Sequence, residues 1–198
     1  MDMIKGRVTD KNNQPVEGAD VGVMDRNFEP IYRTSTNAEG SYVLEMPEGT
    51  YPFFIAVKDY GEKNLEYWCN NIELNGQLEL NCQIDKLEIY GLHVFEVKGA
   101  GPALTIYFRP MSLVKVLNKE ADIAPELTEE SFTCFVNGEK SNLLVMNTVK
   151  EYTSDGLLTA YLIQISRPDN MAEKNKLDLI LRDKEGNMGM ASLFFQLD

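Results

Sequence analysis

Apolar residues in this chain recur at every second position, in short runs spread along its whole length. Successive side chains of a strand point to opposite faces, so such alternation marks half-buried strands, whereas a helix repeats every three or four residues. Ile4 to Val8, Ala19 to Val23, Ile31 to Thr36, Ser41 to Leu44 and Tyr51 to Val57 read as five strands. The last of these is apolar on both parities, as a strand covered on both faces is. Ile72 and Leu74, then Leu78, Leu80, Cys82 and Ile84, flank the dipeptide Asn75-Gly76. Both residues of that pair tolerate positive φ, and between alternating runs it predicts a hairpin. Seven strands with turn signals about every eight to twelve residues predict a sandwich.

A second series begins near Leu87. Leu87, Ile89 and the run Leu92 to Val97 lead into Gly99-Ala100-Gly101-Pro102, which cannot continue a strand. Leu104, Ile106 and Phe108 alternate until Pro110. The acidic stretch from Val116 to Thr128 contains Pro125 and reads as a loop or a short helical turn. Phe132, Cys134 and Val136 run into a second Asn-Gly pair, Asn137-Gly138. Leu143 to Val149 and Leu157 to Ile165 are joined by Thr153-Ser154-Asp155-Gly156, which is turn chemistry. Leu177, Leu179 and Leu181 pass through Asp183 to Asn187 into Met188 to Phe195. The expected architecture is therefore all-β, with two tandem β-sandwiches over residues 1–86 and 87–198 and a short linker between about Ile84 and Leu92.

Charge narrows the partners. With 19 Lys and Arg against 31 Asp and Glu, the net charge is -12. That balance disfavours a sequence-independent nucleic-acid binder, which must neutralise phosphates, and docking on an anionic membrane surface. No run approaches the roughly 20 apolar residues that span a bilayer. The opening Met1-Asp2-Met3-Ile4-Lys5 lacks the basic-then-apolar order of a signal peptide, so the expected setting is either cytoplasmic or that of a trimmed extracellular segment.

Chemical candidates are few. Cys69, Cys82 and Cys134 are an odd set. Cys69 and Cys82 can pair if they lie on neighbouring strands in an exported protein, or all three can be small buried hydrophobes. The single histidine, His93, begins an H-x-x-E with Glu96. Strand residues three apart face opposite ways, so the pair cannot hold one ion, and no further histidine is available as ligand or base. Carboxylates are numerous, but none sits in a calcium loop, and Gly99 to Pro102 lacks the Lys and Ser/Thr of a phosphate loop. No catalytic residue, cofactor site or metal site is expected. The aromatic group Tyr60, Tyr67 and Trp68 is the candidate ligand platform, since exposed rings can stack on sugars. Tyr67 and Trp68 are adjacent, so on a strand one points inward and the other outward.

Four linked motifs carry a resemblance. Gly6, Val8 and Asp10 are followed by Pro15-Val16-Glu17-Gly18-Ala19-Asp20-Val21, then by Thr36 to Tyr42 in the pattern T-N-x-x-G-x-Y, then by Pro47-Glu48-Gly49-Thr50-Tyr51. In that order they resemble the carboxypeptidase regulatory-like domain family, a transthyretin-like β-sandwich. The match fades after Tyr60. The closing hairpin, with its D-x-x-G-N turn, resembles bacterial immunoglobulin-like domains. The first resemblance implies a module without catalytic residues that accompanies other domains. The expected function is accordingly a non-catalytic accessory binding or structural module of a bacterial protein, with a protein or glycan partner. The alternative is a carbohydrate-binding module using its exposed aromatics.

Overall fold

The structure, a computed structural model, describes residues 2–99, 101–154 and 156–197. The first half supplies β1 (Asp2–Thr9), β2 (Asp20–Met24), β3 (Pro30–Ser35), β4 (Ser41–Met46), β5 (Gly49–Val57), β6 (Tyr67–Leu74), β7 (Gln77–Glu79) and β8 (Cys82–Gln83). The second supplies β9 (Leu87–Phe95), β10 (Ala103–Ser112), α1 (Leu113–Leu117), β11 (Phe132–Val136), β12 (Glu139–Ser141), β13 (Leu143–Thr153), β14 (Gly156–Ser166), β15 (Asn175–Arg182) and β16 (Met188–Phe195). The protein is all-β, and α1 is a single five-residue turn leading into the acidic stretch, most of which is loop. No helix among the described residues is long and apolar enough to cross a membrane.

The strands form one large sheet and two small ones. The large sheet has the order β12-β11-β15-β16-β6-β5-β2-β3, so it runs through both halves of the sequence. Its seam is a parallel pairing of β16 with β6, with Ala191 opposite Trp68, Ser192 opposite Cys69 and Leu193 opposite Asn70. One small sheet is β4-β1-β7, with β8 also on β1, and the other is β13-β14-β10-β9.

Alternation along β16 explains how one sheet serves two cores. Ala191, Leu193 and Phe195 enter the core built with Leu87, Ile106, Phe108 and Tyr161. Met190 and Phe194 pack instead against the core of Ile4, Tyr42, Phe54 and Tyr67. Odd and even positions of a strand face opposite ways, so the small sheets cover opposite faces of the large one, displaced sideways from each other. A buried chain of hydrogen bonds crosses the seam: Tyr67 Oη donates to Ser192 Oγ at 2.7 Å, and Ser192 donates to Asp178. Gly189 sits beneath the start of β9, where a Cβ would lie 2.6 Å from the Leu87 carbonyl oxygen.

Two turns differ instructively. Asn137-Gly138 adopts positive φ at both residues and joins the antiparallel pair β11–β12 as a hairpin. Asn75-Gly76 does not make the expected hairpin. Beyond it, β7 pairs in parallel with β1, while β6 stays with β5 and β16. The turn carries the chain from one sheet to the other, held by Gly76 N–H donating to Asp2 Oδ2 at 2.9 Å. The edge that β7 would have taken belongs to β16.

Cys69, Cys82 and Cys134 are all free and buried. Burial pushes the thiols of Cys69 and Cys134 up to about 12. They serve as small core residues.

Candidate functional site

The sideways displacement of the small sheets leaves part of the large sheet uncovered beside β9. A cleft of about 590 Å³ lies at that corner, within the size range of small-ligand sites. Its floor is aromatic. Phe53 of β5 and Trp68 of β6 project from the large sheet on the side away from Tyr67 and Phe54. Phe28 stacks on Phe53 with ring centroids 4.9 Å apart, and the Trp68 indole meets both rings edge-on at 6.0 Å.

Phe28 reaches this position from a strained turn. Its φ is +62, in the left-handed region that bulky residues avoid at a cost of about 1–3 kcal/mol. The turn between β2 and β3 enforces it: Asp25 Oδ1 accepts from the N–H groups of Asn27 at 2.7 Å and Glu29 at 3.0 Å, and Phe28 N–H donates to the Asp25 carbonyl. The same backbone donors lower the Asp25 carboxyl. Even packed on Phe53 and Trp68, the ring stays 56% exposed.

The wall is charged and polar. Glu88 is buried, and each of its carboxylate oxygens is occupied: Trp68 Nε1 donates to Oε1 at 3.1 Å and Glu66 N–H to Oε2 at 3.3 Å. The bond to Glu88 fixes the indole plane against the floor. Burial raises the Glu88 carboxyl. Burial and the nearby Glu88 charge push Glu66 up to about 7. Arg109 lies 4.6 Å over the Tyr90 ring and crosses Gly91, whose φ is +61. A Cβ on Gly91 would stand 3.3 Å from Arg109 Nε, so the bare backbone gives the guanidinium its path to the cleft. Arg109 has an ion-pair contact with Glu151 at 3.6 Å, but its buried Nε makes no hydrogen bond among the described residues.

The three platform residues read from the sequence separate. Trp68 lines the cleft, half-buried. Tyr67, its neighbour, points into the first core with no exposure, because strand alternation turns it inward, and it presents no face to a ligand. Tyr60 stands on the loop after β5, half-exposed and away from the cleft lining. Partial burial and the charges of Glu88 and Glu66 hold its phenol up at about 12. His93 is exposed on β9 and faces Tyr107 across the strand pair, whereas Glu96 pairs with Arg167 at 2.5 Å. Among the described residues, no three His, Cys, Asp or Glu side chains gather as a metal site would require.

Phe28, Phe53, Glu88 and Arg109 escaped the sequence reading. Only Phe28 left a local trace, a large apolar residue inside the polar turn Asp25 to Glu29. Two larger hollows, of about 730 and 650 Å³, flank β1 and the β6–β7 turn, but neither stacks aromatic rings against one another.

The segment that supplies this floor matches a family model. Residues 3–76 match the carboxypeptidase regulatory-like domain. The matched segment ends at the β6–β7 turn, so Phe28, Phe53 and Trp68 belong to the regulatory-like domain, while Glu88, Tyr90 and Arg109 follow it. No curated protein matches the chain. Solved structures of similar shape include a DUF3823 family protein from Bacteroides ovatus, at 10% identity and a TM-score of 0.37, covering 99% of this chain and 97% of that one. The major pilin subunit BcpA of Bacillus cereus aligns at 11% identity and a TM-score of 0.32, over 99% of this chain and 68% of its own. The mixed-linkage glucan utilization locus protein SGBP-B of Bacteroides ovatus, solved with a mixed-linkage heptasaccharide, aligns at 11% identity and a TM-score of 0.29, over 91% and 37%. All three are distant.

Proposed function

We propose that this chain is a non-catalytic accessory module that binds a carbohydrate in the cleft beside the regulatory-like domain. The observation that carries the reading is the Trp68 indole, held by Glu88 against the stacked Phe28 and Phe53 rings. Apolar ring faces take up the C–H face of a sugar, while oriented donors and acceptors select its hydroxyls. The Arg109 guanidinium reaches the lining while paired with Glu151, and Asn70 and Asn71 bring amides to it.

The lining also argues against catalysis. Glu88 is the one carboxylate among the described lining residues, and both of its oxygens already accept hydrogen bonds, which favours a fixed structural role over acid–base work. The described lining residues include no Ser, Thr, Cys or Lys nucleophile, while His93 and Tyr90 belong to that lining.

The test is a glycan array followed by calorimetry on each hit, with Trp68→Ala and Phe53→Ala alongside. Binding by the native chain, weakened at least tenfold in Trp68→Ala without release of reducing ends, supports the reading. Silence across the array, or undiminished binding by Trp68→Ala, removes it.

A further inference from the structure

The small sheet β13-β14-β10-β9 turns one face to the second core and the other to solvent. The solvent face of an antiparallel sheet is ordinarily polar. This one is not. Along one row of paired residues it presents His93, Tyr107, Leu162 and Asn147, one from each strand. On the same face Phe95 is 42% exposed, and Val145 and Val149 are 42% and 37% exposed. The full charges among these rows, Arg109 and Glu151, pair with each other, and Tyr107 donates its hydroxyl to Glu151. The rows span three strand spacings, about 14 Å.

Arg109 joins this face to the cleft. It extends from the face across Gly91 into the cleft lining, so the two surfaces are continuous at its guanidinium. From this continuity we infer that the ligand is an uncharged linear polysaccharide, one unit seated on Trp68 and the following units laid across β9, β10, β14 and β13. The inference rests on the carbohydrate reading of the cleft and extends it. Flat rings and aliphatic side chains suit the faces of successive sugar rings, and His93, Asn147 and Gln164 stand among them for hydroxyls. A second copy of this chain is a poor occupant, because each copy carries a net charge of -12 and the cation of this face, Arg109, is already paired with Glu151. An anionic polysaccharide meets the same repulsion.

Affinity gel electrophoresis in soluble mixed-linkage β-glucan, xyloglucan, galactomannan and polygalacturonate tests this, with the matching monosaccharides as competitors. The native chain should be retarded by at least one neutral polymer, and monosaccharide should compete at least a hundredfold less well than a heptasaccharide of the same polymer. Phe95→Ser and Leu162→Ser, both at solvent-facing positions, should each weaken retardation at least tenfold while leaving the thermal midpoint within a few degrees. Normal retardation of both variants alongside loss in Trp68→Ala confines the ligand to the cleft and overturns the extension alone. Equal competition by monosaccharide does the same. Retardation only in polygalacturonate, or a native dimer in sedimentation that Leu162→Ser dissolves, overturns it in favour of an anionic chain or a second copy. No retardation by any polymer overturns the extension and the carbohydrate reading together.

Discussion

Replacing Glu66 by Gln should stabilise this protein at alkaline pH and leave it unchanged at acid pH. Glu66 lies against Glu88 at the edge of the cleft, and its carboxyl titrates at about 7 in place of the ordinary 4.5. At about 1.4 kcal/mol per pH unit, that displacement amounts to roughly 3.4 kcal/mol of penalty on the charged form. Glu66 is only half-buried, so solvent screening removes about half, leaving about 1.5–2 kcal/mol. The sign follows from proton linkage. Between pH 4.5 and 7 the folded state holds a proton that the unfolded state has released, so stability falls as pH rises across that window. Below pH 4.5 both states are protonated and nothing is lost. Urea unfolding of native and Glu66→Gln chains every half pH unit from 4 to 8 isolates the effect, since carboxylates not coupled to Glu66 cancel in the difference and Glu88 enters only through its coupling. The variant's advantage should be near zero at pH 4 and reach its plateau above pH 7, with Trp68 fluorescence reporting the same midpoint. A difference that stays flat from pH 4 to 8 would refute the argument.

Other expectations follow from the seam and the core. Gly189→Ala places a methyl group against the Leu87 backbone and should cost about 3 kcal/mol, which for a chain of this size lowers Tm by about 6–12 °C in calorimetry. Ser192→Ala leaves the buried Tyr67 hydroxyl without its acceptor, while Asp178 keeps Lys176, and should cost about 2 kcal/mol in chemical denaturation. A thiol reagent should label the native chain slowly and reach all three cysteines only after guanidinium unfolding, because burial keeps each sulfur protonated. Tyr42→Phe leaves the Leu80 carbonyl without the hydroxyl that donates to it at 2.6 Å, and should lower stability by about 1–2 kcal/mol in urea.

The all-β fold was legible because alternation is local. Leu104, Ile106 and Phe108 announce an inward face whatever they pack on, and they are fully buried. What alternation cannot announce is which edge a strand joins. The Asn75-Gly76 pair has the φ values of a hairpin turn only in part, with Gly76 at +83, and its hairpin partner was displaced by a strand distant in sequence. The site was less legible for the same reason. Trp68 is identifiable by residue type, but its partners Phe28, Phe53, Glu88 and Arg109 come from four different strands and turns that only the packing of two sheets brings together. Tyr67 shows the converse: adjacency in sequence placed it in the candidate group, and the pleat removed it to the core.

During synthesis β6 leaves the ribosome with its outer edge bare, and the segment that will zip onto it, β16, is made over a hundred residues later. For that interval the nascent regulatory-like domain carries an open row of peptide donors and acceptors, together with the unshielded neighbours of Met190 and Phe194. Such an edge invites pairing with a foreign strand, so the period before β16 arrives is when this protein is most exposed to misassembly and most in need of a chaperone.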